Sequence, residues 1–155
     1  MKKNENDVSV LNDLVAINND RVTGYRKAID ELKNGDTGLA TVFNEMMGHS
    51  EQHLAVLKQK IRAMGGDPED GTTTSGKIYR VWMDIKAAFS KNESKTALEN
   101  CEFGEDAAQK AYDNALKEEL SEEARQLVTE QKAALKQDHD KIKRLRDSHQ
   151  PAAAK

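Results

Sequence analysis

Apolar residues recur along the chain in alternating steps of four and three, and each run is interrupted near its middle by polar residues. The first stripe reads Leu11, Val15, Asn18, Val22, Tyr25, Ile29 and Leu32, the spacing that keeps one face of an α-helix against a partner. It predicts a helix over about 8–34, ended by Asn34 and Gly35, a pair suited to a left-handed stop. A second stripe, Leu39, Phe43, Met46, Ser50, His53, Leu57, Ile61 and Met64, predicts a helix over about 38–64 that starts after Asp36 or Thr37 and stops at Gly65, Gly66 and Pro68. So short a turn makes these two helices antiparallel neighbours.

A third stripe follows Ser94 as Leu98, Cys101, Glu105, Ala108, Tyr112 and Ala115, predicting a helix over about 95–119. After a break at Leu120 and Ser121, a fourth helix over about 122–148 carries Leu127, Gln131, Leu135, Asp138, Ile142 and Leu145 inward, with His139 beside them. Between the two pairs lies a connection too long for a hairpin. GGDPEDGTTTSG reads as loop, whereas Ile78, Val81, Trp82, Ile85 and Phe89 repeat at helical spacing. The expectation is an all-α single domain over 1–155, a four-helix bundle whose long crossover carries a short extra helix at about 76–90. That helix is expected to lie across the bundle and cover one end or side with Trp82.

Composition agrees with this picture. Charged residues are 33% and aromatics 5% of the chain, as suits helices with wide solvated faces. The net charge of −3 arises from 24 basic and 27 acidic residues intermixed, with no basic block of the kind a phosphate backbone attracts, so no nucleic-acid partner is expected. MKKNENDV is not followed by an apolar core, no run approaches a membrane span, and a single cysteine forms no internal disulfide. A cytoplasmic location is expected.

Counting through the turns aligns the polar interruptions. Asn18 lies 17 residues before Gly35 and His53 lies 18 after it; Glu105 lies 16 before Ser121 and His139 lies 18 after it. Each first helix also carries a tyrosine seven residues beyond its polar position, Tyr25 and Tyr112, a weak internal duplication. Two antiparallel pairs with this layout are similar to the ferritin-like fold. The stretches NDLVAINNDRVTGY, GTTTSGKIYRVWMDIKAAF, CEFGEDAAQKAY and HDKIKRLRD resemble an uncharacterised bacterial family of ferritin-like four-helix-bundle proteins, a domain of unknown function. The resemblance covers about residues 9–147 and implies an up-down ferritin-like bundle with a crossover, but no activity.

A ferritin-like di-iron site takes one Glu from each first helix and a Glu-x-x-His from each second. Here the corresponding residues are Asn18, Ser50 with His53, Glu105, and Lys136 with His139. Two divalent cations would face one retained carboxylate, Glu105, with Asp138 as a substitute, and Lys136 would add like charge unless turned outward. Two readings remain. In one, His53, Glu105 and His139 form a mononuclear iron, zinc or manganese site, as in a metal-binding protein or oxidoreductase. In the other, no cofactor is bound and no catalysis occurs. The site is then degenerate, and Asn18, Tyr25, Ser50, Tyr112 and Asp138 join those residues in a hydrogen-bonded layer that fixes helix register. The second reading leads, with the chain a structural or stress-associated bundle acting through self-association or a partner.

Other features read as structural. Gly71 to Lys77 fits the start of a phosphate-binding loop, but Ile78 stands where Ser or Thr is required and no strand precedes it. His49 is one turn from His53 but falls off the stripe, and Cys101 reads as a small buried thiol. Trp82, with Arg80 and Lys86 nearby, is the expected contact of a homodimer.

Overall fold

A computed structural model of the chain describes residues 2–31, 37–68 and 94–148. Among these residues there are four α-helices and no strand: α1 Lys2–Glu31, α2 Thr37–Ala63, α3 Ser94–Leu116 and α4 Glu122–Ser148. The expected crossover helix at about 76–90, Trp82 and the GTTTSGK loop lie outside the described residues. No helix among the described residues is long and apolar enough to cross a membrane.

Interhelical bonds set the directions. Arg21 meets Ser50 while Asn12 donates to the Asp67 carbonyl, so α1 and α2 are antiparallel. Glu102 meets Arg146 and Asp113 meets Lys132, giving the same relation between α3 and α4. Lys60 with Glu123 and Glu45 with Lys141 make α2 and α4 antiparallel. Asn6 donates to the Glu119 carbonyl and Arg21 pairs with Glu105, which makes α1 and α3 antiparallel too. It follows that α2 and α3 are parallel, and the connection from Pro68 to Ser94 joins opposite ends of the bundle.

The helix ends explain the lengths. Gly65 adopts φ 83° and donates to the Arg62 carbonyl at 3.0 Å, while Gly66 donates to the Ile61 carbonyl at 2.9 Å, the paired bonds of a Schellman stop. α3 closes three residues short of the expected 119 because Lys117 and Glu118 turn back onto the Asn114 and Ala115 carbonyls, both at 3.1 Å. Arg125 then donates to the Leu116 carbonyl at 2.8 Å and the Glu118 carbonyl at 3.0 Å, satisfying acceptors that the end of the helix leaves open. Ser121 caps α4 by accepting from the Ala124 amide at 3.2 Å, and the buried Asp7 accepts from the Ser121 amide at 3.0 Å. α1 accordingly begins at Lys2, earlier than its apolar stripe, since its first turns hold this junction.

The core is in two parts. Tyr25, Leu39, Phe43, Met46, Leu98 and Ile142 fill one end, and Leu11, Val15, Leu57, Ile61, Leu127 and Leu135 fill the other. Burying each Leu or Ile stabilises the fold by about 1.5–3 kcal/mol. Between the two parts lie Asn18, Arg21, Ser50, Glu105, Gln131 and Asp138, all buried. Along one flank, α1 and α3 leave a groove of about 460 Å³ floored by Leu14 and Ile17 and edged by Asp13 and Glu118. Burial, and then the Glu118 charge, push the Asp13 carboxyl above its ordinary range.

Candidate functional site

Arg21 is the centre of the polar layer. It lies three residues after Asn18 and four before Tyr25 on α1 and is 1% exposed. One guanidinium nitrogen, Nη1, donates to Ser50 Oγ on α2. The other, Nη2, donates to Glu105 Oε2 on α3 at 2.6 Å and to Asp138 Oδ2 on α4 at 3.4 Å. All four helices therefore meet on one side chain. The guanidinium carbon also lies 5.7 Å from the centroid of the Tyr25 ring, within cation–π reach, and that ring packs tilted on Phe43.

A charge this deep persists only when it is paired. Burial acts to lower the Arg21 pKa, but Glu105, Tyr25 and Asp138 outweigh it and hold the guanidinium more firmly protonated than usual. Tyr25 donates its hydroxyl to Glu105 Oε2, and burial, then the same carboxylate, push its pKa well above the ordinary phenol value. Burial also raises Asp138, against the pull of Arg21. Cys101 is buried and free, and burial followed by Glu105 keeps its thiol protonated.

A second set of bonds continues the layer. Asn18 donates to the Leu14 carbonyl and to the Tyr112 hydroxyl, both at 2.9 Å; Tyr112 donates to Gln131 Oε1 at 2.7 Å, and Gln131 donates to the His53 carbonyl at 3.2 Å. Burial raises the Tyr112 hydroxyl pKa in spite of the Asn18 bond. The layer is not fully satisfied. Asn18 Oδ1, Arg21 Nε, His53 Nε2 and Glu105 Oε1 are buried without a protein hydrogen-bond partner.

The residues expected to hold a metal are placed as follows. Glu105 is buried against Arg21 and Tyr25. His53 directs Nε2 into the interior, and burial, then the Arg21 charge, lower its pKa to about 4. His139 turns toward Asp106, with Glu102 3.9 Å from Nε2 and Asp140 3.1 Å from Nδ1. Among the described residues no three His, Cys, Asp or Glu side chains form a group able to hold a metal ion. The fit to a mononuclear ion is therefore poor in this arrangement: a guanidinium stands beside Glu105, and the His139 ring pairs with carboxylates on another face. Lys136 turns outward, 68% exposed, and pairs with Asp140 at 3.2 Å.

Sequence reasoning missed Arg21. Leu14, Asn18, Arg21, Tyr25 and Ala28 also alternate in steps of four and three, so a second stripe beside the one followed from Leu11 would have drawn the arginine inward. His49 is likewise more engaged than its place off the stripe implied, with Nδ1 2.8 Å from Asp138 Oδ1 while its side chain stays 40% exposed.

A family model described as Domain of unknown function (DUF2383) matches residues 6–118. That span includes Asn18, Arg21, Tyr25, Ser50 and Glu105 and ends before Gln131 and Asp138. No curated protein matches the chain.

Proposed function

The chain belongs to the family described as Domain of unknown function (DUF2383), and from that premise we propose that it is a non-catalytic, ferritin-like bundle protein whose centre is closed by its own cation. One observation carries the reading: the Arg21 guanidinium is buried against Glu105 at 2.6 Å and Asp138 at 3.4 Å. A carboxylate pair that would otherwise call for a bound cation is neutralised in large part by the chain itself. The ferritin-like assignment draws on the antiparallel pairs and on the parallel relation of α2 to α3. The protein then works through surfaces, by self-association or by a protein partner, and Trp82 is the proposed dimer contact.

Metal analysis of protein purified without chelator tests this. Iron, zinc and manganese are expected well below one per chain, with a thermal midpoint that neither these ions nor a chelator moves. One metal per chain, lost in His53→Ala with the helices intact, would replace this reading with a mononuclear metal protein. Light scattering is expected to give a dimer that Trp82→Glu dissociates.

A further inference from the structure

The flank groove between α1 and α3 joins an apolar floor to an acidic edge. Residues 6–17 of α1 and 111–118 of α3 border its volume of about 460 Å³, and at 1.5 Å per residue the α1 wall runs for about 16 Å. Val10, Leu14, Ile17 and Ala115 line it and are otherwise packed into the protein. Asp13 stands on the α1 wall and Glu118 on the α3 wall, both exposed. Among the described residues, no lysine, arginine or histidine lines the groove.

We propose that this groove binds a linear aliphatic amine, its alkyl chain on the floor of Leu14 and Ile17 and its ammonium between the Asp13 and Glu118 carboxylates. A concavity of this size, apolar with a few placed polar groups, has the make-up of a small-ligand site. The Glu118 charge acts on Asp13 across the groove and adds to burial in raising its carboxyl, so each carboxylate is repelled by the other. An ammonium that donates to both removes that repulsion. A fatty acid would instead bring a third negative charge to the same edge, and an inorganic cation would match the charge but leave the apolar floor in water. An alkylammonium meets both demands.

The two ends of such a ligand have separable effects. Burying alkyl chain tightens binding by about three- to fourfold per methylene, so affinity should climb from butylammonium through hexylammonium to octylammonium. The ammonium meets carboxylates at the solvent-exposed edge, where salt screens it, so affinity should fall as ionic strength rises. No lining residue belongs to the Arg21 layer, so the metal content that tests the proposed function leaves this site untouched.

Titration calorimetry of the full chain with this amine series, below micelle-forming concentrations and with octanoate as the anionic control, is the test. Octylammonium is expected to bind more tightly than octanoate, and Asp13→Asn combined with Glu118→Gln should weaken it by about tenfold, the loss of two exposed ion pairs. Ala111→Leu, which places a larger side chain in the groove, should abolish binding. Octanoate binding as tightly as octylammonium, or octylammonium affinity unchanged in the double variant, overturns the proposal. So does a wild type that binds no octylammonium, the result expected if a second copy or a basic peptide holds the groove instead. Should a variant fail to fold, methyl spectra of the wild type decide: shifts on adding octylammonium that centre on Val10, Leu14 and Ile17 support the site, and shifts centred elsewhere overturn it.

Discussion

Arg21 shows how a single side chain can cost and stabilise at once. Removing one member of a buried ion-paired set strands the others, so Arg21→Met is expected to lose about 3–5 kcal/mol in urea denaturation. Replacing the set together, as Arg21→Met, Tyr25→Phe, Glu105→Leu and Asp138→Leu, is expected to return stability to near wild type, because the desolvation cost leaves with the charges. A quadruple variant as weak as the single one would mean that the layer contributes net stability rather than specificity. Most members of the layer were legible beforehand: Asn18, Ser50, Glu105, Gln131 and Asp138 each interrupt an apolar stripe and are buried. Arg21 was not, because a charged residue beside a stripe is usually solvated, and only contact with carboxylates from two other helices makes its burial tolerable. The turn of His139 toward Asp106 was equally hidden, since it depends on the carboxylates that α3 presents to it.

At the scale of the helices, periodicity set the four elements, while their ends depended on contacts the pattern does not encode. The stop after α2 was readable from Gly65 and Gly66, but the two glycines do different things. Gly65 supplies a positive φ of 83°, whereas a Cβ on Gly66 would lie 2.7 and 2.9 Å from the Val8 methyls. The second glycine thus lets α1 pass close to the end of α2. Gly66→Ala is expected to cost about 1–3 kcal/mol through overpacking, and Val8→Ala in the same chain should recover part of it. If the double variant merely summed the two losses in denaturation experiments, the close approach would not be the reason for the glycine. The early start of α1 at Lys2 belongs to the same class, because Asp7 ties it to the Ser121 amide 114 residues away.

Over the whole molecule, two hairpins with short-range contacts meet through a layer whose bonds span long stretches of chain. Arg21 is 84 residues from Glu105 and 117 from Asp138. Closing such loops is entropically costly before any contact repays it, so local hairpins form ahead of distant pairings. The layer is accordingly expected to assemble after the folding transition state and to act chiefly as a brake on unfolding. Stopped-flow kinetics of Arg21→Met should show most of its lost stability as faster unfolding, with refolding nearly unchanged. Slower refolding of matching size would place the arginine in the nucleus instead. A bundle closed in this way is expected to lose lifetime, more than speed of formation, when its guanidinium is taken from among its partners.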